Sequence, residues 1–194
     1  MTKYQRADIF LTDSDASYAK VVKFLMQSPT LWHWIIGKIL RVITGKTQHL
    51  PFIDDVKYYH AGMIIDEGRI IEQEAQVETN DISKMLKKPH IILRKISLEE
   101  VDKNAIYAQA CEDLGKGYDI LLIFGKTLAW LTGIRYFMRI VQWPGKEICV
   151  SRVAYWYDLD DHFGKQSWHE VTTDDIEDWT RSHPQDWMIV EEAA

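Results

Sequence analysis

Cys149, His60 and the glutamates Glu72 and Glu74 are the residues of this chain whose types could together do acyl chemistry. Cys149 lies near the start of a run, Glu147 to Tyr157, in which Val150, Val153, Ala154 and Tyr157 fall on one helical stripe. A thiol in the first turn of a helix sits beside unpaired backbone N–H groups and the positive end of the helix dipole, which favours thiolate over thiol. A neighbouring imidazole would take the thiol proton, and a third polar group would fix the tautomer and angle of the ring. The backbone N–H of Cys149 is a natural donor to the oxyanion that forms when a thiolate attacks a carbonyl.

The imidazole must come from elsewhere in the chain, and a β-hairpin offers it. Tyr58 to Ile65 and Arg69 to Val77 are strand-like runs separated by Asp66-Glu67-Gly68. Residue numbers across an antiparallel pair keep a constant sum, so Ile64 opposite Ile70 places His60 opposite Glu74, on one face. Glu74 is therefore the orienting candidate. Glu72 is the alternative if the register differs, since it lies on the same face. On spacing alone these types also have commoner roles: a small buried thiol, a satisfied structural imidazole, solvated carboxylates.

The remaining elements describe an α+β chain. Arg6 to Thr12 reads as an entry strand, and Asp13 to Asp15 offer N-cap oxygens for a helix beginning near Ala16. Trp32, Ile35, Ile36, Ile39, Leu40 and Ile43 recur at helical spacing and Gly45 closes the segment, giving a Trp-bearing helical insert over 16–45. Its Lys38, Arg41 and Lys46 either face solvent or meet an anionic membrane through 24–44. His90 to Ser97 reads as a strand, and Leu98 to Leu114 as a helix capped by Ser97 with Glu100 three residues on. Gly115 to Asp119 is a turn into the apolar stretch Tyr118 to Ile134, and Trp143-Pro-Gly-Lys146 breaks the chain before the Cys149 helix. A capped helix from Thr173 and a strand, Trp187 to Glu191, follow.

Composition sets the outer limits. With 194 residues, 46% hydrophobic and 27% charged, the chain reads as a single catalytic-type domain, 1–194, with a core of its own. A formal charge of −6 argues against general attraction to nucleic acid. Eight Trp fit a protein that grips something extended or amphipathic. Cys111 and Cys149 have no metal-ligand spacing; a disulfide between them stays open, and so sparse a pair fits a reducing compartment. Met1 to Ile9 lacks the apolar segment of a signal peptide, and the charges within 24–44 and 118–134 interrupt any spanning run, so a cytoplasmic location is expected. Neither a phosphate-binding glycine loop nor a metal run such as HExxH occurs, and no cofactor or metal is expected.

An ordered set of short motifs adds to this reading. His60-Ala-Gly-Met-Ile-Ile, Ile71-Glu-Gln-Glu-Ala75, Leu114-Gly-Lys-Gly-Tyr-Asp119 and Ile148-Cys-Val-Ser-Arg-Val153 follow one another along the chain. This order resembles the circularly permuted NlpC-type papain-fold cysteine hydrolases, the YiiX-like group, in which the histidine hairpin precedes the nucleophile. Ala7 to Leu11, Val171 to Ile176 and Asp186 to Val190 resemble the ends of those domains. The resemblance covers nearly the whole chain apart from the Trp32 insert. It implies a permuted papain-like fold, an antiparallel sheet packed against a nucleophile-bearing helix, with Cys149 as nucleophile, His60 as base and Glu74 as third member. It further implies that Tyr118 borders the cleft and that Ser151 lines the pocket. The expected activity is hydrolysis of an amide bond, in a cell-wall peptide or an amino-acid conjugate, through an acyl-enzyme. The alternatives are a lipid-acyl hydrolase or acyltransferase, and a non-catalytic binding or structural module of a phage, virion or envelope. Bulky Val150 after the nucleophile, where the family carries a small or polar residue, and the unmatched Trp32 insert are departures that bear on the substrate.

Overall fold

A computed structural model describes residues 3–13, 57–132, 137–141, 146–157 and 162–193. The Trp-bearing insert at 16–45 and the break at Trp143 to Gly145 lie outside the described residues. Among the described residues the frame is one antiparallel sheet of six strands: β1 (Ile9–Thr12), β2 (His60–Ile64), β3 (Arg69–Gln73), β4 (Val77–Asp81), β5 (His90–Lys95) and β6 (Trp187–Ala193). Its order is β4-β3-β2-β1-β5-β6. The α-helices among the described residues are α1 (Ile82–Leu86), α2 (Glu100–Glu112), α3 (Ile120–Thr132), α4 (Phe137–Ile140), α5 (Cys149–Tyr157) and α6 (Thr173–Ser182). The molecule is thus α+β, and none of these helices is long and apolar enough to cross a membrane.

Both faces of the central strands are buried, so β1 and β5 carry almost continuous apolar runs rather than alternation. Successive side chains still point to opposite faces. Leu11, Ala61, Met63 and Ile91 meet Val153, Ala154 and Trp156 of α5 in the larger core. Phe10, Ile64, Ile70 and Ile92 meet Ile82 and Met85 of α1 in a smaller one. α5, with its apolar stripe, is the helix that packs across β2.

The hairpin register is the one its sequence sets, with Ile64 opposite Ile70 and Gly62 opposite Glu72. Glycine at position 62 has a steric cause: a Cβ there would lie 2.4 Å from the Phe10 ring and 2.7 Å from the Ile71 carbonyl oxygen. The second run of the hairpin is shorter than its β-propensity suggests. β3 stops at Gln73, residues 74 and 75 form a bend, and Val77 opens a separate strand that pairs back on β3. Three bonds to the 116–118 loop draw the chain away there: Gln73 Nε2 to Gly117 O (2.8 Å), Tyr118 N to Ala75 O (3.0 Å) and Val77 N to Lys116 O (2.9 Å).

The cap of α2 also differs from expectation. Glu99, not Ser97, is the N-cap, and its reciprocal partner is Asp102. α6 has the Ser/Thr-type box, with Thr172 and Asp175 exchanging bonds.

Candidate active site

Cys149 is the first residue of α5: the first turn closes from Arg152 N to Ile148 O at 2.8 Å. Its own N–H has no intrahelical acceptor, as at every helix start. The thiol is held at a fork in the sheet. Ile64 N–H points toward β1, donating to Asp8 O at 2.8 Å, so by alternation Ala61 N–H points toward β3. The β2–β3 ladder ends at Gly62 opposite Glu72, and the Ala61 amide serves Cys149 Sγ instead of a strand partner.

From that notch the sulfur reaches His60, the first residue of β2, and the two side chains share a hydrogen bond. The other side of the ring is fixed by Glu72: His60 Nε2 lies 2.7 Å from Glu72 Oε2. Glu72 Oε1 accepts in turn from Asn80 Nδ2 at 3.0 Å. A relay Asn80–Glu72–His60–Cys149 thus crosses β4, β3 and β2 to the start of α5. Tyr118 comes from the 116–118 loop, with its hydroxyl 3.8 Å from Cys149 Sγ.

The carboxylate on the His60 ring is thus Glu72, the alternative that the register left open, and not Glu74 as expected. The constant-sum rule would place Glu74 opposite His60, but the ladder does not extend that far, because β3 bends away after Gln73. Glu72, diagonal to His60 on the same face, takes the ring. Glu74 stays close: one donor atom from each of His60, Glu72 and Glu74 lies within 4.8 Å of the others. These three are the described residues that could gather around a metal ion, yet both Glu72 oxygens already accept bonds, from His60 and Asn80.

Ser151 is not brought to the thiol. It is fully buried, and two positions along a helix turn its side chain about 200° from that of Cys149. Cys111 and Cys149 are both free thiols, so no disulfide joins them. Asn80 is the member that the sequence reading lacks. It lies in the polar run Val77-Glu-Thr-Asn-Asp81, most of which the sequence reading assigns to no element and which pairs with β3 as β4.

The electrostatics follow from burial and pairing. Burial alone pushes the Cys149 thiol up, but the His60 hydrogen bond and charge, the Ala61 amide and the Tyr118 hydroxyl outweigh it and hold the thiol below its ordinary value. Burial works to lower His60, whereas the Cys149 sulfur and then Glu72 raise it to about 10. Glu72 is raised by burial, and is nonetheless held below the usual carboxylate range by His60 and Asn80. The favoured state is a thiolate beside an imidazolium, with a carboxylate behind it.

No protein-family model and no curated protein matches the chain. Among solved structures it is similar to that of the metalloprotein YiiX from Escherichia coli O157:H7, DUF1105. That likeness covers 98% of each chain at 15% identity, with a TM-score of 0.47.

Proposed function

We propose that the chain is a cysteine hydrolase of the permuted papain-like, NlpC type that cleaves an amide bond through an acyl-enzyme, with a peptide or amino-acid conjugate, such as one from the cell wall, as substrate. The observation that carries this reading is the buried Cys149–His60–Glu72 arrangement, with a lowered thiol and a raised imidazole. Its order, histidine strand before nucleophile helix, is the order of the permuted enzymes.

In this reading the Cys149 thiolate attacks the carbonyl carbon. The oxyanion accepts from Cys149 N–H, and from Tyr118, whose hydroxyl already reaches the sulfur. The His60 imidazolium gives its proton to the leaving amine, the C–N bond breaks, and a thioester remains. His60, now neutral, takes a proton from water as the water oxygen attacks the thioester; the acid leaves and the thiolate–imidazolium pair is restored. Glu72 holds the ring angle throughout and supports its charge.

A second reading, transfer or hydrolysis of a fatty acyl group, draws on one feature. α3 starts two residues after Tyr118, and Ile120, Leu121 and Phe124 on one stripe of it are 75%, 42% and 56% exposed. Incubation with a panel of peptide amides and fatty acyl esters, followed by intact-mass measurement, separates the readings. A thioester adduct on Cys149 from peptide amides, absent in Cys149→Ser, supports the amidase. Adducts from acyl esters alone support the lipid reading, and no adduct with either class counts against both.

A further inference from the structure

We infer that Asp113 is a positioning residue for this site, a clamp that sets the nucleophile helix against the loop carrying Tyr118; the inference rests on the reading of Cys149 as a nucleophile. Asp113 follows α2 directly as its C-cap, where a negative charge opposes the helix dipole, and it is only 2% exposed. Both local rules disfavour a carboxylate there, so its partners must account for it.

Those partners come from both sides of the site. Asp113 Oδ2 accepts from Arg152 Nη1 and from Trp156 Nε1, each at 2.9 Å. Arg152 and Trp156 stand three and seven positions after Cys149, so the two bonds hold one stripe of α5 below the nucleophile. Arg152 is itself 3% exposed, and its Nε and Nη2 meet no partner among the described residues, which leaves Asp113 as its counter-ion. Asp113 Oδ1 accepts from Lys116 Nζ, and Asp113 O from Lys116 N at 2.9 Å. Gly115, at φ +81°, makes the turn between them. Tyr118 stands two residues after Lys116, and Asp119 N then donates to Glu147 O at 2.8 Å, closing the loop onto the chain just before Cys149. One carboxylate therefore ties the helix that bears the sulfur to the turn that bears the hydroxyl 3.8 Å away.

A clamp acts through the Tyr118–Cys149 contact, whereas a merely structural role would not. The test is a double-mutant cycle on the rate of Cys149 alkylation by iodoacetamide at pH 7, read by mass spectrometry, with Asp113→Asn, Tyr118→Phe and the pair. The clamp predicts that each single variant slows labelling by about fivefold, one hydrogen bond's worth, and that the double variant is no slower than Tyr118→Phe alone. Effects that multiply, or an unchanged rate in Asp113→Asn, overturn it. If Asp113→Asn does not unfold cooperatively, Lys116→Met takes its place, because that side chain is 46% exposed and its loss removes only the loop arm of the clamp. His60→Ala is labelled in parallel. Unchanged labelling there sinks the nucleophile reading itself, while slowed labelling with multiplying effects sinks the clamp alone.

Discussion

Two buried histidines stand at one level of the sheet, on either side of Thr12: His60 on β2 and His90 on β5 both pair in register with it. Each has a glutamate diagonal to it on the next strand outward, Glu72 on β3 and Glu191 on β6. The likeness stops there. His60 Nε2 is 2.7 Å from Glu72, and the ring also shares a hydrogen bond with the Cys149 sulfur. His90 donates from Nδ1 to Lys88 O at 2.8 Å, its Nε2 is 3.9 Å from Glu191, and that glutamate is held by Tyr4 at 2.5 Å and Lys3 at 2.9 Å. Strand register brings an imidazole near a carboxylate in both places. What makes a candidate site of one is the fork where β3 leaves β2, which admits the first turn of α5 and its sulfur.

The largest difference between the two histidines is expected in thiol reactivity. His60→Ala is expected to slow alkylation of Cys149 at pH 7 by about 10²-fold or more, the usual worth of a general base, and His90→Ala to change it by less than about twofold. Rates within threefold of each other in the two variants would erase the contrast.

Stability is expected to separate their glutamates next. Glu72→Ala leaves a buried imidazolium without its carboxylate and is expected to cost about 3 kcal/mol in urea unfolding at pH 7, whereas Glu191→Ala is expected to cost about 1 kcal/mol or less. Equal costs would mean that the 2.7 Å pair carries no more than the looser one.

The pH dependence sharpens the same contrast. A lowered thiol and an imidazole raised to about 10 keep both charges between those limits. Amide turnover, which needs the imidazolium proton, should therefore hold above the ordinary histidine value of 6.5 and fall as pH rises through about 10. A fall centred near 6.5 would show that His60 is not paired as described. The smallest effect belongs to the flanking hydroxyls: Tyr118→Phe is expected to slow alkylation about fivefold and Ser151→Ala to leave it unchanged, since only Tyr118 reaches the sulfur.

Much of this frame was legible in the sequence. The hairpin turn at Asp66-Glu67-Gly68 and the strand-like apolar runs on either side of it set the β2–β3 register, and helical spacing after Cys149 set α5. The choice between Glu72 and Glu74 was not legible, because it depends on where β3 ends. That end is set by bonds from Gln73, Ala75 and Val77 to a loop some 40 residues downstream, which no local pattern encodes. β4 was hidden for a related reason. As an edge strand with a polar outer face, Val77-Glu-Thr-Asn-Asp81 lacks the β-branched run that marks a strand, and with it went Asn80. Asp113 was invisible because a carboxylate at a helix end reads as solvated until its partners are seen.

If His60 holds Cys149 as a thiolate, the two thiols of this molecule must respond differently to the loss of that imidazole. The rate of iodoacetamide modification of Cys149, followed by mass spectrometry from pH 5 to pH 10 with Cys111 as the internal reference for rate, gives the acid limb of the Cys149 thiol. Cys149 is expected to be modified below the ordinary thiol value of 9.0, its limb to move upward in His60→Ala, and the Cys111 rate at pH 7 to be the same in both proteins. Limbs for Cys149 that coincide in the wild-type protein and in His60→Ala would contradict it.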